Sequence, residues 1–513
     1  MKKYMFLFII VFGISSCNSF LDVKPKSEIL GDKLFETPEG FEDALYGVYT
    51  GLTQDALYGK ILSWYLPDLL AGYYIKENAG QQWELLLFSF NYTGISDRGM
   101  FDNIWTKMYE NINYVNSIIQ NVDEHKGFKY YKFYKGEALA LRAFMHFDLC
   151  NCFAPAYRED TRNSPAIPFY ETYEPLVYPF RTVEAIYRKV IDDLKMAEAL
   201  LEDEPNYLAR DRKGTPGINA FMTERQYHMN LYAVQGLLAR VYQMRNDLDS
   251  AMIYAEKVIR SEKFDFADKT NMAYEYASCI SKDETLWGIY PLAEYVVQLQ
   301  ENFDYPDDDV NVSLLPLNGF WLYPDYYPEG MGAVDYGFQM LYKVPTSDGR
   351  QDYRYNGWFR QRKGVTGKHR RFYKIYNDTG KTSKQRGISM MRISEMYLIM
   401  AEGLLKKGQI TEARKYFDTY TSARGFVFKE GEATFDMDLI NKEYRKEFFG
   451  EGREWFNRKR QNLPIYSAYM SLGQPFPASD EKYTWPIPED EFEYRDGGKE
   501  GVYPSETDEQ QNN

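Results

Sequence analysis

Two stretches of this chain, "GLLARVYQMRNDLDSAMIYAEKVI" and "MYLIMAEGLLKKGQITEARKYF", carry small and large apolar residues in one shared register. That register constrains the fold more than any other feature. In the second stretch Tyr397, Ala401 and Leu404 precede a turn at Gly408, and Ala413 and Phe417 follow it at the offsets of a tetratricopeptide helix pair. In the first, Leu238, Ala239 and Tyr242 precede a turn at Asn246-Asp247, and Ala251, Ala255 and Val258 follow it. Small residues at these positions let two helices approach closely. The two matches predict an all-α protein built on tetratricopeptide-like helix-pair repeats, an α-α superhelix. A third pair is read from "GEALALRAFMHFDL" and the helix at 181–201, split by the proline-bearing loop "FAPAYREDTRNSPAIPFYETYEPLVYPF". Insertions of this kind fall in loops on one face of a repeat array.

Other segments are helical by spacing alone. In "RTVEAIYRKVIDDLKMAEALL" the residues Val183, Ile186, Tyr187, Val190, Ile191, Leu194, Ala197 and Leu201 share one face. In "FDNIWTKMYENINYVNSIIQ" the same spacing makes Trp105 a core residue rather than a ligand contact. The helical scaffold is thus expected over about 100–265 and 387–462. Between them, from about 270 to 388, periodicity is lost and Pro, Gly, Asp and Tyr accumulate. Irregular stretches this long inside a domain are usually functional or disordered, and the aromatic content argues against disorder. The ligand site is expected in this long irregular insertion.

The start of the chain defines a compartment. Lys2 and Lys3 form a basic region, Met5 to Phe12 a short apolar run, and Ile14-Ser15-Ser16 a small-residue site before Cys17. The run is too short to span a bilayer, which takes about 20 apolar residues. "ISSC" resembles the lipobox of bacterial lipoproteins, so residues 1–16 are read as a signal peptide and Cys17 as the acylated first mature residue. The alternative is an ordinary signal peptide with a coincidental cysteine. Cys150, Cys152 and Cys279 lack the spacing of a disulfide framework or zinc site and read as buried small hydrophobes. The apolar "WYLPDLLAGYYI" is broken by Pro67 and Asp68. Residues 17–513 are therefore read as a single tethered domain.

A formal charge of −14 opposes binding to polyanions and rules out DNA and RNA as main partners. The 46 Tyr, 33 Phe and 8 Trp exceed what a core of this size requires, so some should be exposed. An aromatic face can stack on a sugar ring or pack on a protein partner, and both readings stand beside irregular tyrosine-rich loops with no ligand.

Most catalytic signatures fail. "GKTS" at 380–383 has Ile375 where a phosphate-binding loop needs its first glycine, and no GxSxG is present. His125, His146, His228 and His369 stand singly, without the pairing of a zinc site. Asp304 to Asn311, "DYPDDDVN", gathers oxygen ligands that could hold calcium but lacks EF-hand spacing, and a solvated acidic loop is the simpler reading. No cofactor is expected. Paired carboxylates for glycoside hydrolysis need not be near in sequence, which keeps an all-α glycosidase as an alternative.

Taken in order, the segments resemble the SusD/RagB family of outer-membrane nutrient-binding lipoproteins. The segments are "FLDVKPKSEI" after the lipobox, "WTKMYENINYVNSII", "GEALALRAFMHFDLCNCFAP", "RTVEAIYRKVIDDLKMAEALL", "MMRISEMYLIMAEGLLKKG", "ARGF", "INKEYRKEFFGEGREW" and "YTWPIPEDEF". The chain departs from the family pattern at Tyr444 and at Asn457-Arg458. The resemblance implies a protein that binds oligosaccharides or other nutrients without hydrolysing them, and a lid on a SusC-like TonB-dependent transporter. It implies the outer membrane, with a lipid anchor and the body facing the cell surface. The competing readings are the glycosidase and a tetratricopeptide scaffold that binds only protein.

The resemblance also implies ligand contacts in the loops before the helix at 101 and in the insertion. There this chain offers Trp83, Asn91 and Tyr92, then Trp321, Tyr323 and Trp358, with packing in a loop as the alternative for each. Arg392 and Glu395 of "MRISEMYLIMAE" read as structural ion-pair partners. Residues 343–386 hold thirteen Lys or Arg against three Asp or Glu. This basic island either neutralises acidic loops of the same chain or grips an anionic glycan through Arg350, Arg354 or Arg360 beside Trp358.

Overall fold

A computed structural model of the chain describes residues 33–75, 81–95, 98–204, 220–269, 281, 283–290, 321–322, 341–342, 344, 349–361, 370–372, 374, 387–467, 475–493, 495 and 498–499. Cys17 and its signal region, Tyr323, the 304–311 acidic loop and most of the insertion lie outside these residues. The N-terminal half holds α1 (Pro38–Leu52), a π-helical turn (Ile61–Tyr65) leading into α2 (Leu66–Leu70), β1 (Tyr74–Ile75), α3 (Gln82–Phe88), α4 (Gly99–Val122), α5 (Tyr131–Phe153), β2 (Pro165–Pro168), β3 (Phe180–Thr182) and α6 (Val183–Leu200). Then follow α7 (Leu231–Met244), α8 (Leu248–Arg260), β4 (Thr285–Ile289), β5 (Trp321–Leu322), α9 (Tyr353–Trp358), β6 (Phe359–Gln361), β7 (Arg370–Phe372) and β8 (Ile388–Arg392). The C-terminal part adds α10 (Ile393–Lys406), α11 (Ile410–Ala423), α12 (Met437–Glu447) and α13 (Glu454–Arg460). Among the described residues no helix is long and apolar enough to cross a membrane.

The predicted helix pairs form at their predicted turns. Asn230 caps α7 by accepting from the Ala233 amide (3.0 Å), and Asp247 caps α8 by accepting from the Ser250 amide (3.1 Å). Between them Asn246 turns the chain in the left-handed region, φ +62°, a conformation asparagine tolerates well. Gly408 does the same between α10 and α11 at φ +73°. Ala239, Ala251, Ala255, Ala401 and Ala413 are all fully buried, as the close approach of helices requires. The pairs stack α7 on α8, α8 on α10 and α10 on α11, while α5 packs along α4 and α6. Each large apolar side chain buried in these seams contributes roughly 1.5–3 kcal/mol. Trp105 sits in the core as read, its Nε1 donating to Glu491 (3.1 Å).

The described part of the insertion is more ordered than its lack of periodicity implies. Its first segment, β4, pairs antiparallel with β8 in the register Ile289↔Ile388, and β8 runs straight into α10. All five β4 residues, Thr285 to Ile289, are buried, so the strand lacks the inside–outside alternation by which periodicity would assign it. Further on, β6 and β7 pair as Arg360↔Arg371, and β5 pairs with β1 as Ile75↔Trp321.

One turn explains the "EFFGEGREW" segment. Asp68 of α2 is fully buried and accepts from the Gly450 amide (2.7 Å). Two residues on, Gly452 has φ +65°, and a Cβ there would lie 2.4 Å from Leu62 O and 2.6 Å from Ser63 O. Only glycine lets this turn press against the π-helical backbone.

Candidate ligand-binding surface

The β1–β5 pairing joins the two regions in which ligand contacts are expected, because it sets the backbone of Trp321 beside Ile75, shortly before α3. Trp83, on the first turn of α3, is half-buried and donates from Nε1 to Gln81 Oε1 (3.1 Å). A capping box between Gln81 and Glu84 holds that turn. Asn91 is exposed, and its Oδ1 accepts from the Gly94 amide (3.3 Å) and the Thr93 hydroxyl (3.1 Å). Just before it, Phe90 is held at φ +59°, a costly conformation for a bulky residue. Its ring stacks on Trp455 (5.9 Å) and meets Phe476 edge-on (5.3 Å), and this packing maintains the strained turn. Trp83 and Asn91 therefore flank a rigid corner with one aromatic and one amide side chain reaching solvent.

Three other candidates lie in the interior. Tyr92 is buried, its hydroxyl donating to Lys482 O (2.9 Å) and its ring packing on Phe101. Trp358 is buried beneath the Lys374 ammonium, which lies 4.4 Å from its ring centre. Arg354 is fully buried and uses all its donors within the chain: Asp352 (2.9 and 2.6 Å), Glu443 (2.6 Å), Glu447 (2.9 Å) and the Tyr420 hydroxyl (2.5 Å). No donor of Arg354 is left to grip a sugar carboxylate, so the structure assigns it to the core.

Arg354 belongs to a larger charged joint. Arg424 reaches Glu284 (2.6 Å) and Glu447 (3.0 and 2.6 Å), and Arg392 reaches Glu284 (3.2 Å), Glu451 (3.0 Å) and Glu447. Lys374 pairs with Glu451 (2.5 Å), and Lys446 pairs with Asp352 (3.4 Å) and Glu443. Five cations thus face five carboxylates. Burial opposes the ionisation of Glu447, but Arg424, Arg392 and Arg354 outweigh it and hold the carboxyl well below its usual range. Burial pulls the Lys374 ammonium down to about 8, with Glu451 opposing and Arg392 assisting. Of the basic island, Arg350 meets Glu432 (2.7 Å), and Arg354 and Lys374 meet this joint. The described side chains of the island neutralise carboxylates of the same chain, while the side chain of Arg360 lies outside the described residues.

The family-like segments prove to be this scaffold. Glu395 receives Arg240 through two bonds (2.7 and 2.6 Å), and Arg392 sits in the joint, so both are structural ion-pair partners as read. Glu443 and Glu447 were missed as partners of Arg354 and Arg424; the available signal was the i, i+4 carboxylate pair in "EYRKE", which lies at the buried C-terminal end of α12. His146 is buried, accepts from the Tyr170 amide (3.0 Å) and faces Arg142 O (2.9 Å); burial drops its pKa to about 3, so it stays neutral. Among the described residues no cluster of His, Cys, Asp and Glu is arranged to hold a metal.

This all-α, tetratricopeptide-like architecture with family-type segments at its joints is that of the SusD proteins. Residues 19–215 match a family model described as starch-binding associating with outer membrane, and residues 321–500 match the model of the SusD family. The chain belongs to the SusD/RagB family. It is 22% identical over 535 residues to SusD-like protein P38 of Formosa agariphila, covering 95% of this chain and 97% of that one. A SusD superfamily protein from Bacteroides thetaiotaomicron superposes with a TM-score of 0.65 at 21% identity, covering 89% of this chain and 97% of the other. A putative sugar binding protein from Bacteroides vulgatus gives 0.65 at 20% identity, covering 88% and 95%. At these identities the likeness speaks for the fold.

Proposed function

We propose that this protein is a glycan-binding lipoprotein of the outer membrane that captures an oligosaccharide and delivers it to a SusC-like TonB-dependent transporter. The family match to a starch-binding, outer-membrane-associated group carries the reading. The "ISSC" segment supports anchoring through Cys17 with residues 17–513 as one domain, and no hydrolysis of the glycan is part of the proposal. The site is proposed at the β1–β5 corner, where Trp83 stacks on a sugar ring and Asn91 hydrogen-bonds hydroxyls; Trp321 and Tyr323, whose side chains lie outside the described residues, are proposed as further contacts from the insertion. A half-buried tryptophan suits this role because its fixed face costs little entropy on binding.

Titration calorimetry of neutral and acidic oligosaccharides against the purified protein tests it. Binding should be lost in Trp83→Ala with the melting temperature unchanged. Binding that survives Trp83→Ala and Asn91→Ala would place the site elsewhere, and release of reducing sugar would replace capture with hydrolysis. Retained transporter binding with no affinity for any glycan would leave a protein-binding scaffold. Cys17→Ala should abolish fatty-acid labelling and release the protein from membranes; unchanged labelling would remove the anchor.

A further inference from the structure

Where the Gly452 turn meets α5 and α7, the core leaves a cavity of about 20 Å³. Tyr58, Asp148, Arg240, Ser389 and Arg453 all line it. Three polar atoms on its lining residues, Arg240 Nη1, Arg453 Nε and Ser389 Oγ, are sealed from solvent and meet no hydrogen-bond partner. The rest of the Arg240 guanidinium is engaged, with Nε and Nη2 on Glu395 (2.7 and 2.6 Å) and Nη2 on Met390 O (3.0 Å). Arg240 itself is only 2% exposed, so Nη1 cannot turn to bulk water. Asp148, also buried, accepts the Tyr58 hydroxyl on Oδ2 (2.6 Å). Buried polar atoms left unsatisfied are costly, and these three, two guanidinium N–H donors and one hydroxyl oxygen, lie around one cavity.

We propose that one water molecule is bound in this cavity as a permanent part of the fold, accepting from Arg240 Nη1 and Arg453 Nε and donating to Asp148 and Ser389. The volume suits it, since a water needs roughly 10–15 Å³ of such space and two to four polar partners. The charge pattern selects water over an ion. Asp148 and Glu451 on the wall repel an anion, and the two guanidinium groups repel a cation. Arg453 makes no direct ion pair among the described residues, so the water is the means by which it meets Asp148. Tyr58 and Asp148 come from the segment matched over 19–215, and Ser389 and Arg453 from that matched over 321–500. The water thus stitches the two halves of the protein together.

Crystals of the protein grown with bromide in place of chloride, at a resolution that shows ordered waters, test the proposal. A density peak at hydrogen-bond distance from Arg240 Nη1 and Arg453 Nε, without anomalous signal, is expected. An anomalous bromide peak would overturn the proposal in favour of an anion site, and a cavity without density would overturn it outright. Neither result bears on whether the protein binds glycan.

Discussion

The helix-pair stack of α7, α8, α10 and α11 and the charged joint around Glu447 are both buried, yet opposite physics holds them. In the stack, fully buried Ala239, Ala251, Ala255, Ala401 and Ala413 bring helices together through apolar contact, and each residue adds a modest, separable share. In the joint, Arg354, Arg392 and Arg424 share Glu447, so no member can leave without stranding another charge in a low-dielectric interior. A buried apolar seam tolerates graded change, whereas a buried ion network fails as a unit.

The sharpest break should come at the centre of the joint. Glu447→Gln leaves three arginines short of a carboxylate and should cost about 3–5 kcal/mol, the usual penalty for breaking a buried pair. Urea unfolding measures it, and a loss below about 1 kcal/mol would show that the joint behaves like a solvated surface. In the stack, Ala401→Trp should overpack the α10 contact at roughly 1–3 kcal/mol. A melting temperature unchanged within error would contradict the helix-pair register.

A third comparison uses pH. Burial opposes the ionisation of Glu402, but Arg460 (2.7 and 2.5 Å) and then Lys406 outweigh it and hold the carboxyl down at about 2. A carboxyl lowered from 4.5 contributes stability that is fully present above 4.5 and is lost as the pH falls toward 2. The gap in melting temperature between the protein and Glu402→Gln should therefore be widest near neutrality and should close as pH falls through this window. A gap that widens in acid would contradict the assignment. The smallest effect belongs to Arg350→Ala, whose partly exposed pair with Glu432 is expected to be worth about 0.2–1 kcal/mol. A loss as large as that of Glu447→Gln would extend the joint to the edge of the insertion.

Legibility followed the range of the forces. The turns at Asn246 and Gly408, the burial of Trp105 and the faces of α4 and α6 were readable because helical periodicity is set by residues three or four apart. The strand β4 was not, because a fully buried run carries no period. Arg354 and Trp358 read as ligand groups because a basic, aromatic segment without periodicity looks like a surface. Their placement was decided by Glu443, Glu447 and Lys374, remote in the chain or indistinct in the island.

The sequence by itself determined the helix-pair architecture and the family, since both rest on local spacing and on short segments in a set order. Only the tertiary structure decided which of the many charges and aromatics face inward. It alone brought Trp321 beside Ile75 and set Asp148 and Arg453 around one polar cavity. The physical reason is that burial is a property of what lies opposite a side chain. For a charged residue, what lies opposite must be a counter-charge that no local pattern specifies.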